Sequence, residues 1–164
     1  QSLSPIASPD IYAITKLVKN ADGTHTIDVV NLTKGTAQEG VTVAKSVSGL
    51  TEADVNDMTK LKQFTFTGGV VSAVASASLP ASTQSLDTTN ALALLLDGKL
   101  ISDTLVTIDI EGASVIYYNS TAKSFAVWTV DDLDGLVDGS STYNVVAYDT
   151  HSTPDGVYDI IIVR

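Results

Sequence analysis

No cysteine occurs among the 164 residues, which excludes disulfide staples, thiolate metal sites and a cysteine nucleophile together, though not export. Basic residues are scarce: nine Lys and Arg stand against nineteen Asp and Glu, giving a net charge of −10. A surface of that sign repels phosphate backbones, so nucleic acid is excluded as a partner. No apolar run approaches the roughly 20 residues needed to span a bilayer. The opening Gln1-Ser2-Leu3-Ser4-Pro5 lacks the basic and apolar halves of a signal peptide, and the chain is expected to be a piece cut from a longer protein. Histidine is limited to His25 and His151, with no serine or second histidine at triad or metal spacing. Imidazole catalysis has no basis here, and the chain is expected not to be an enzyme.

Despite its acidity the chain is only 17% charged, with 44% hydrophobic residues, so it describes an ordered, Thr/Ser/Val/Ala-rich β protein and not a solvating tail. Residues 1–10, with two prolines and several serines, read as a linker. Residues 11–18, rich in β-branched and apolar residues, and the alternating residues 24–30 flank Ala21-Asp22-Gly23 and predict a hairpin, with His25, Ile27 and Val29 on one face. A third strand is expected over residues 41–47. Thr51 and Asp54 have the spacing of a capping box for a short helical turn. Strands over 63–67 and 70–77 flank Gly68-Gly69, a strong turn signal. Residues 79–90, rich in Ser and Thr around Pro80, are the expected boundary. Beyond it, the short apolar run 91–96 fits a buried strand or a helical turn and is expected as a strand, followed by strands over 99–102, 104–110, 114–118, 125–130, 143–149 and 157–163, with Asp97-Gly98 turning the first pair.

One order of elements occurs twice. Val41-Thr42-Val43, then residues 50–55, then Gln63-Phe64-Thr65-Phe66-Thr67, then Gly68-Gly69, then residues 70–74 is matched by residues 115–118, Val130-Asp131-Asp132-Leu133, residues 143–148, Pro154-Asp155-Gly156 and residues 158–163. Repeated β units extend surfaces more often than they create reaction centres. The expected fold is therefore all-β: two tandem, related barrel- or sandwich-like units of about five short strands each. The first unit is placed over residues 11–77 and the second over 78–164, with the strand at 69–77 a candidate for sharing between them.

Residues 115–118, Trp128-Thr129-Val130-Asp131-Asp132-Leu133, residues 143–148 and the terminal Tyr158-Asp159-Ile160-Ile161-Ile162-Val163 resemble the β-rich repeats of exported surface-layer (S-layer) proteins of Gram-positive bacteria. Residues 12–74 are similar to the preceding unit in such proteins, so the resemblance covers residues 11–163. It implies a structural module, a spacer or lattice element at the extracellular cell surface or cell wall, whose partners are other copies or domains of the same protein. The surface-layer homology modules that bind cell-wall polysaccharide are not recognisable here, so anchoring would lie elsewhere.

Four sets of residues invite a sharper reading. Asp131, Asp132 and Asp134, with Asp138 nearby, are candidate oxygen ligands for calcium, the one cofactor considered. The spacing is not that of an EF-hand, and the competing account has Asp131 or Asp132 capping a short turn while Leu133 plugs a barrel end. Asp149, Asp155 and Asp159 form a second acidic loop, in which Asp155-Gly156 is explained by turn geometry. Trp128, Tyr117, Tyr118, Tyr143, Tyr148 and Tyr158 concentrate the aromatics in the second half, giving the alternative of a carbohydrate-binding or adhesin module that stacks sugar rings. Alternation places Tyr117 and Tyr118 on opposite faces, so at most one belongs to the core. Asn31-Leu32-Thr33 and Asn119-Ser120-Thr121 match the N-glycosylation triplet, but in a bacterial surface protein they are more simply turn residues.

Overall fold

A computed structural model of the chain describes residues 6–7, 10–79, 83–86, 92–102, 107–134, 144–150 and 156–164. Its regular structure is nearly all β, and it divides into two compact units, Gln1–Ser78 with Lys123–Phe125 and Leu79–Ala122 with Ala126–Arg164.

In the first unit β2 (Tyr12–Lys19) and β3 (His25–Asn31) make the expected hairpin, with Lys19 opposite His25. Its turn is closed by the Asn20 N–H donating to the Thr24 carbonyl at 2.8 Å and by the Asp22 carboxylate accepting from the Thr24 N–H at 2.9 Å. Ile27 and Val29 point inward, as alternation requires. The third strand, β4 (Thr36–Val43), starts earlier and stops sooner than the expected 41–47. Thr36 to Val43 lie along β3, whose hydrogen bonds hold them extended whatever their polarity. Beyond Val43 the chain turns, with the Val47 N–H donating to the Ala44 carbonyl.

The capping box forms as expected. In the 3₁₀ turn Glu52–Asp54, the Asp54 carboxylate accepts from the Thr51 N–H at 2.9 Å and the Thr51 hydroxyl accepts from the Ala53 N–H. β5 (Lys62–Thr67) and β6 (Val70–Ser76) follow, joined by Gly68 and Gly69 with φ of 60° and 81°. Both turn residues are left-handed, which only glycine adopts without strain and which matches the twist of the strands it joins.

These strands close a barrel. β2, β3 and β4 form an antiparallel meander; β4 meets β6 in parallel at Val43↔Val71, β6 pairs with β5, and β5 returns to β2 at Tyr12↔Lys62 and to β1 (Ile6–Ala7) at Ile6↔Phe66. Both edges of β6 are thus used inside the first unit. The path, a five-stranded Greek key with a helical turn between its third and fourth strands, is of the OB type. Inside lie Ile14, Ile27, Val29, Val43, Phe64 and Val71. Tyr12, Phe64 and Phe66 pack ring against ring, with centroids 4.8 to 6.4 Å apart. At the barrel's base the Lys62 ammonium meets Asp54 at 3.2 Å, both side chains about 10% exposed, and pins the 3₁₀ turn to the start of β5.

The second unit repeats those connections. β7 (Thr83–Leu86) pairs antiparallel with β13 (Val145–Tyr148), as β1 does with β5. β8 (Leu92–Leu96), β9 (Lys99–Ser102) and β10 (Thr107–Asp109) form a meander, as β2, β3 and β4 do. Asp97-Gly98, at φ of 51° and 72°, turns its first hairpin. β11 (Ser114–Asn119) lies parallel to β14 (Ile160–Val163), and β14 antiparallel to β13, as β6 does to β4 and β5. A short helix, α1 (Val130–Leu133), takes the place of the 3₁₀ turn. β12 (Ser124–Trp128) is an addition at the edge beside β11. The unit's eight named strands are the same five, with the first (β7 and β8) and the third (β10 and β11) each in two pieces, together with the added β12. β7 also falls within residues 79–90, where sequence composition points to a loop; its backbone is held by pairing with β13 and needs no apolar pattern of its own.

Ile161 and Val163 join Leu100, Ile108, Ile110, Val115 and Leu133 in the core of this unit, and Ile160 and Ile162 on the opposite face are also fully buried. With β11 on one side and β13 on the other, β14 is a central strand covered on both faces, which its unbroken apolar run anticipates. Ile161→Asp is expected to unfold the second unit, removing more than about 4 kcal/mol, because a buried carboxylate there has no partner; a melting point within a degree or two of the parent would contradict this. Lys62→Met should lose about 3 kcal/mol by stranding the buried Asp54 carboxylate. Adding Asp54→Asn, which keeps the cap acceptor without the charge, should restore part of the loss in urea unfolding.

Candidate functional site

The acidic cluster lies on α1 and its C-terminal cap. The Asp132 carboxylate turns back to the Thr129 N–H at 2.7 Å and the Thr129 hydroxyl at 3.2 Å, so it caps the helix. Thr129-Val130-Asp131-Asp132 thereby repeats the Thr-x-x-Asp geometry of Thr51 to Asp54. Leu133, next in sequence, is fully buried in the core. Asp131 and Asp134 are exposed, and Asp138 lies outside the described residues. Among the described residues no group of three His, Asp or Glu side chains is arranged to hold a metal ion. Asp132 acts as a capping residue and the adjoining Leu133 as a hydrophobic anchor, so that together they start a helix and tie it to the core.

In the second acidic loop, Asp159 accepts from the Thr150 N–H at 2.7 Å and from the Thr150 hydroxyl. Asp155 lies outside the described residues, as do His151 and Tyr143. His25 sits on β3 opposite Lys19 and Val43, and its Nδ1 is buried without a hydrogen-bond partner. Two further carboxylates share a local motif that the sequence reading passed over. Asp22 accepts from the hydroxyl of Thr24, and Asp57 from that of Thr59, each at 2.6 Å, and each also accepts the threonine N–H. The hydroxyl bond, more than the N–H bond, holds both carboxyls below the ordinary range. The contribution to folding is present above that range and fades as pH falls through the lowered values.

The aromatics divide by face. Tyr117 and Trp128 stack with centroids 4.7 Å apart and planes 15° from parallel; both are half-buried and pack on the core of the second unit, as does Tyr158. Tyr118 lies on the other face and is buried while Tyr117 is only half-buried, so one of the two neighbours is enclosed, within the expected limit. The sheet is covered on both sides, and alternation then assigns a face without assigning exposure. The stacked pair is the main aromatic surface a sugar ring could meet.

The two glycosylation triplets are also separated by environment. Asn31 is buried, its Nδ2 donating to Asp10 at 2.9 Å and its Oδ1 accepting the Lys34 N–H, while the Lys34 ammonium lies 3.5 Å from the same Asp10 carboxylate. Asn119 instead opens the exposed β11–β12 turn, its Oδ1 accepting the N–H groups of Thr121 and Ala122.

No protein-family model, no curated protein and no solved structure matches the chain. Among the described residues no helix is long and apolar enough to cross a membrane.

Replacing the helix cap tests its role directly. Asp132→Ala should lower stability by about 1 kcal/mol, the ordinary worth of an N-terminal cap. Melting curves in chelator and in millimolar calcium should show the same loss, and a loss confined to calcium buffer would make the cluster an ion site.

Proposed function

We propose that this chain is a non-catalytic structural module of an exported, S-layer-like bacterial surface protein, serving as a spacer or lattice element between other copies or domains of that protein. The observation that carries the reading is the repetition of one set of strand connections, each copy with its own Thr-x-x-Asp helix start, in a single short chain. Copying a self-contained β unit lengthens a scaffold, while a binding or catalytic site needs only one copy. The charge of −10 fits a crowded exterior that must stay soluble until it assembles. The Tyr117–Trp128 pair supports a second reading, a module that binds cell-wall polysaccharide.

Two measurements separate these readings. Antibody raised against the chain should label intact cells that carry the parent protein; labelling only after permeabilisation would overturn the surface assignment. Trp128 is the only tryptophan, so its emission reports on the stacked pair alone. Titration with soluble cell-wall polysaccharide should leave that emission unchanged. Saturable quenching that disappears in Tyr117→Ala would favour the carbohydrate reading.

A further inference from the structure

The geometry points to a mechanical role for the strand ends: each unit is a shear clamp that resists tension applied along the chain. This rests on the spacer reading, since only an element held at both ends is pulled. In the second unit the first strand, β7, and the last, β14, both lie antiparallel to β13, one on each edge. β7 and β14 therefore run parallel to one another. Thr83 and Ile160 both face Tyr148 at one end of β13, and Leu86 and Val163 both face Val145 at the other. Chain enters at the Tyr148 end and leaves at the Val145 end. A pull on the two termini drives β7 and β14 in opposite directions along β13, parallel to the strands.

The direction of force decides how the hydrogen bonds fail. Force along the strands is shared by every bond of the ladder at once, because none lengthens without the others. Force across the strands at one end breaks them one after another. Antiparallel bonds lie perpendicular to their strands, so a pull along the strands shears the whole set. The β13–β14 ladder is extended beyond the named strands by paired bonds between Asn144 and Arg164, 2.6 and 2.9 Å, and by the Asp159 N–H donating to the Tyr148 carbonyl. β14 is held further by its parallel pairing with β11.

The first unit has the same arrangement from different residues. β1 and β2 lie along one edge of β5, from Ile6↔Phe66 to Tyr12↔Lys62, and β6 lies along the other, from Thr67↔Val70 to Lys62↔Ser76. Chain enters beside Phe66 and leaves beside Lys62, again at opposite ends of the shared strand. Tension leaving β6 passes through residues 77–82 into β7, so the two clamps are in series. A unit whose chain ends emerged at the same end of that strand would unzip under the same pull.

Single-molecule pulling tests this, because forced unfolding reads the unfolding barrier along the pulled direction. The intact chain, held at its two termini, should give two unfolding events. Asn144 and Arg164 are bonded side by side at one end of the β13–β14 ladder, and Asn144 is exposed. A handle on Asn144→Cys, the only thiol in a cysteine-free chain, with the other handle at the C-terminus, therefore peels that ladder open. Even the weaker of the two terminal-pulling events should need several-fold more force than this peeling geometry at the same pulling speed. Equal or lower force under terminal pulling would overturn the clamp. The variant's urea midpoint, unchanged from the parent, ensures that the comparison reads direction and not damage. Surface labelling of cells is independent of these forces, so failure of the clamp and failure of the surface assignment are told apart.

Discussion

In each unit the closing hairpin must deliver its last strand in parallel against a strand laid down before the helical turn. β6 does so on β4, and β14 on β11. A parallel pair cannot be joined by a tight turn, and the connection has to cross from one end of the strands to the other. The capped turn at Thr51 to Asp54 and the capped helix at Thr129 to Asp132 sit in those crossings. Each starts a helical segment at a fixed residue, and each is tied down by its own contact: Asp54 to Lys62 in the first unit, and Leu133 in the core of the second. The barrel core and the terminal ladders depend on these crossings being made.

Much of this was legible in the residues because it is local. Gly68-Gly69 and Asp97-Gly98 demand left-handed turns, Thr-x-x-Asp demands a cap, and an unbroken Ile-Ile-Ile-Val run demands cover on both faces. What was not legible depends on pairing between distant strands. Nothing in Thr36-Ala37-Gln38-Glu39-Gly40 reads as a strand, yet β3 holds it as one. Nothing in Thr83-Gln84-Ser85-Leu86 does either, until β13 is beside it. The Lys62–Asp54 pair was hidden for a similar reason: a lysine at the start of a strand looks solvated until the fold closes over it, although Asp54 was already marked by its capping position.

The candidate site was legible in outline. Both accounts of Asp131, Asp132 and Asp134 followed from composition and spacing, and the direction of the Asp132 carboxylate, back toward Thr129, is what makes it a cap. The same holds for the two glycosylation triplets, identical in pattern and opposite in surroundings. An OB-type path hosts many activities, so the barrel itself carries no function, and the repetition of its connections is the stronger clue.

The place of β14 as the last strand of the second unit also sets a timetable. It is the central strand of its sheet, with β11 and β13 on either side, and it follows every other strand of its unit in the sequence. Until Ile160–Val163 arrive, β11 and β13 have no strand between them and the core face has no centre. The barrel strands of the first unit, β1 to β6, all precede Ala77, so that barrel can close while the second unit is still incomplete. The second unit therefore lacks its central strand until its final four strand residues have been made, long after the last strand of the first unit's barrel.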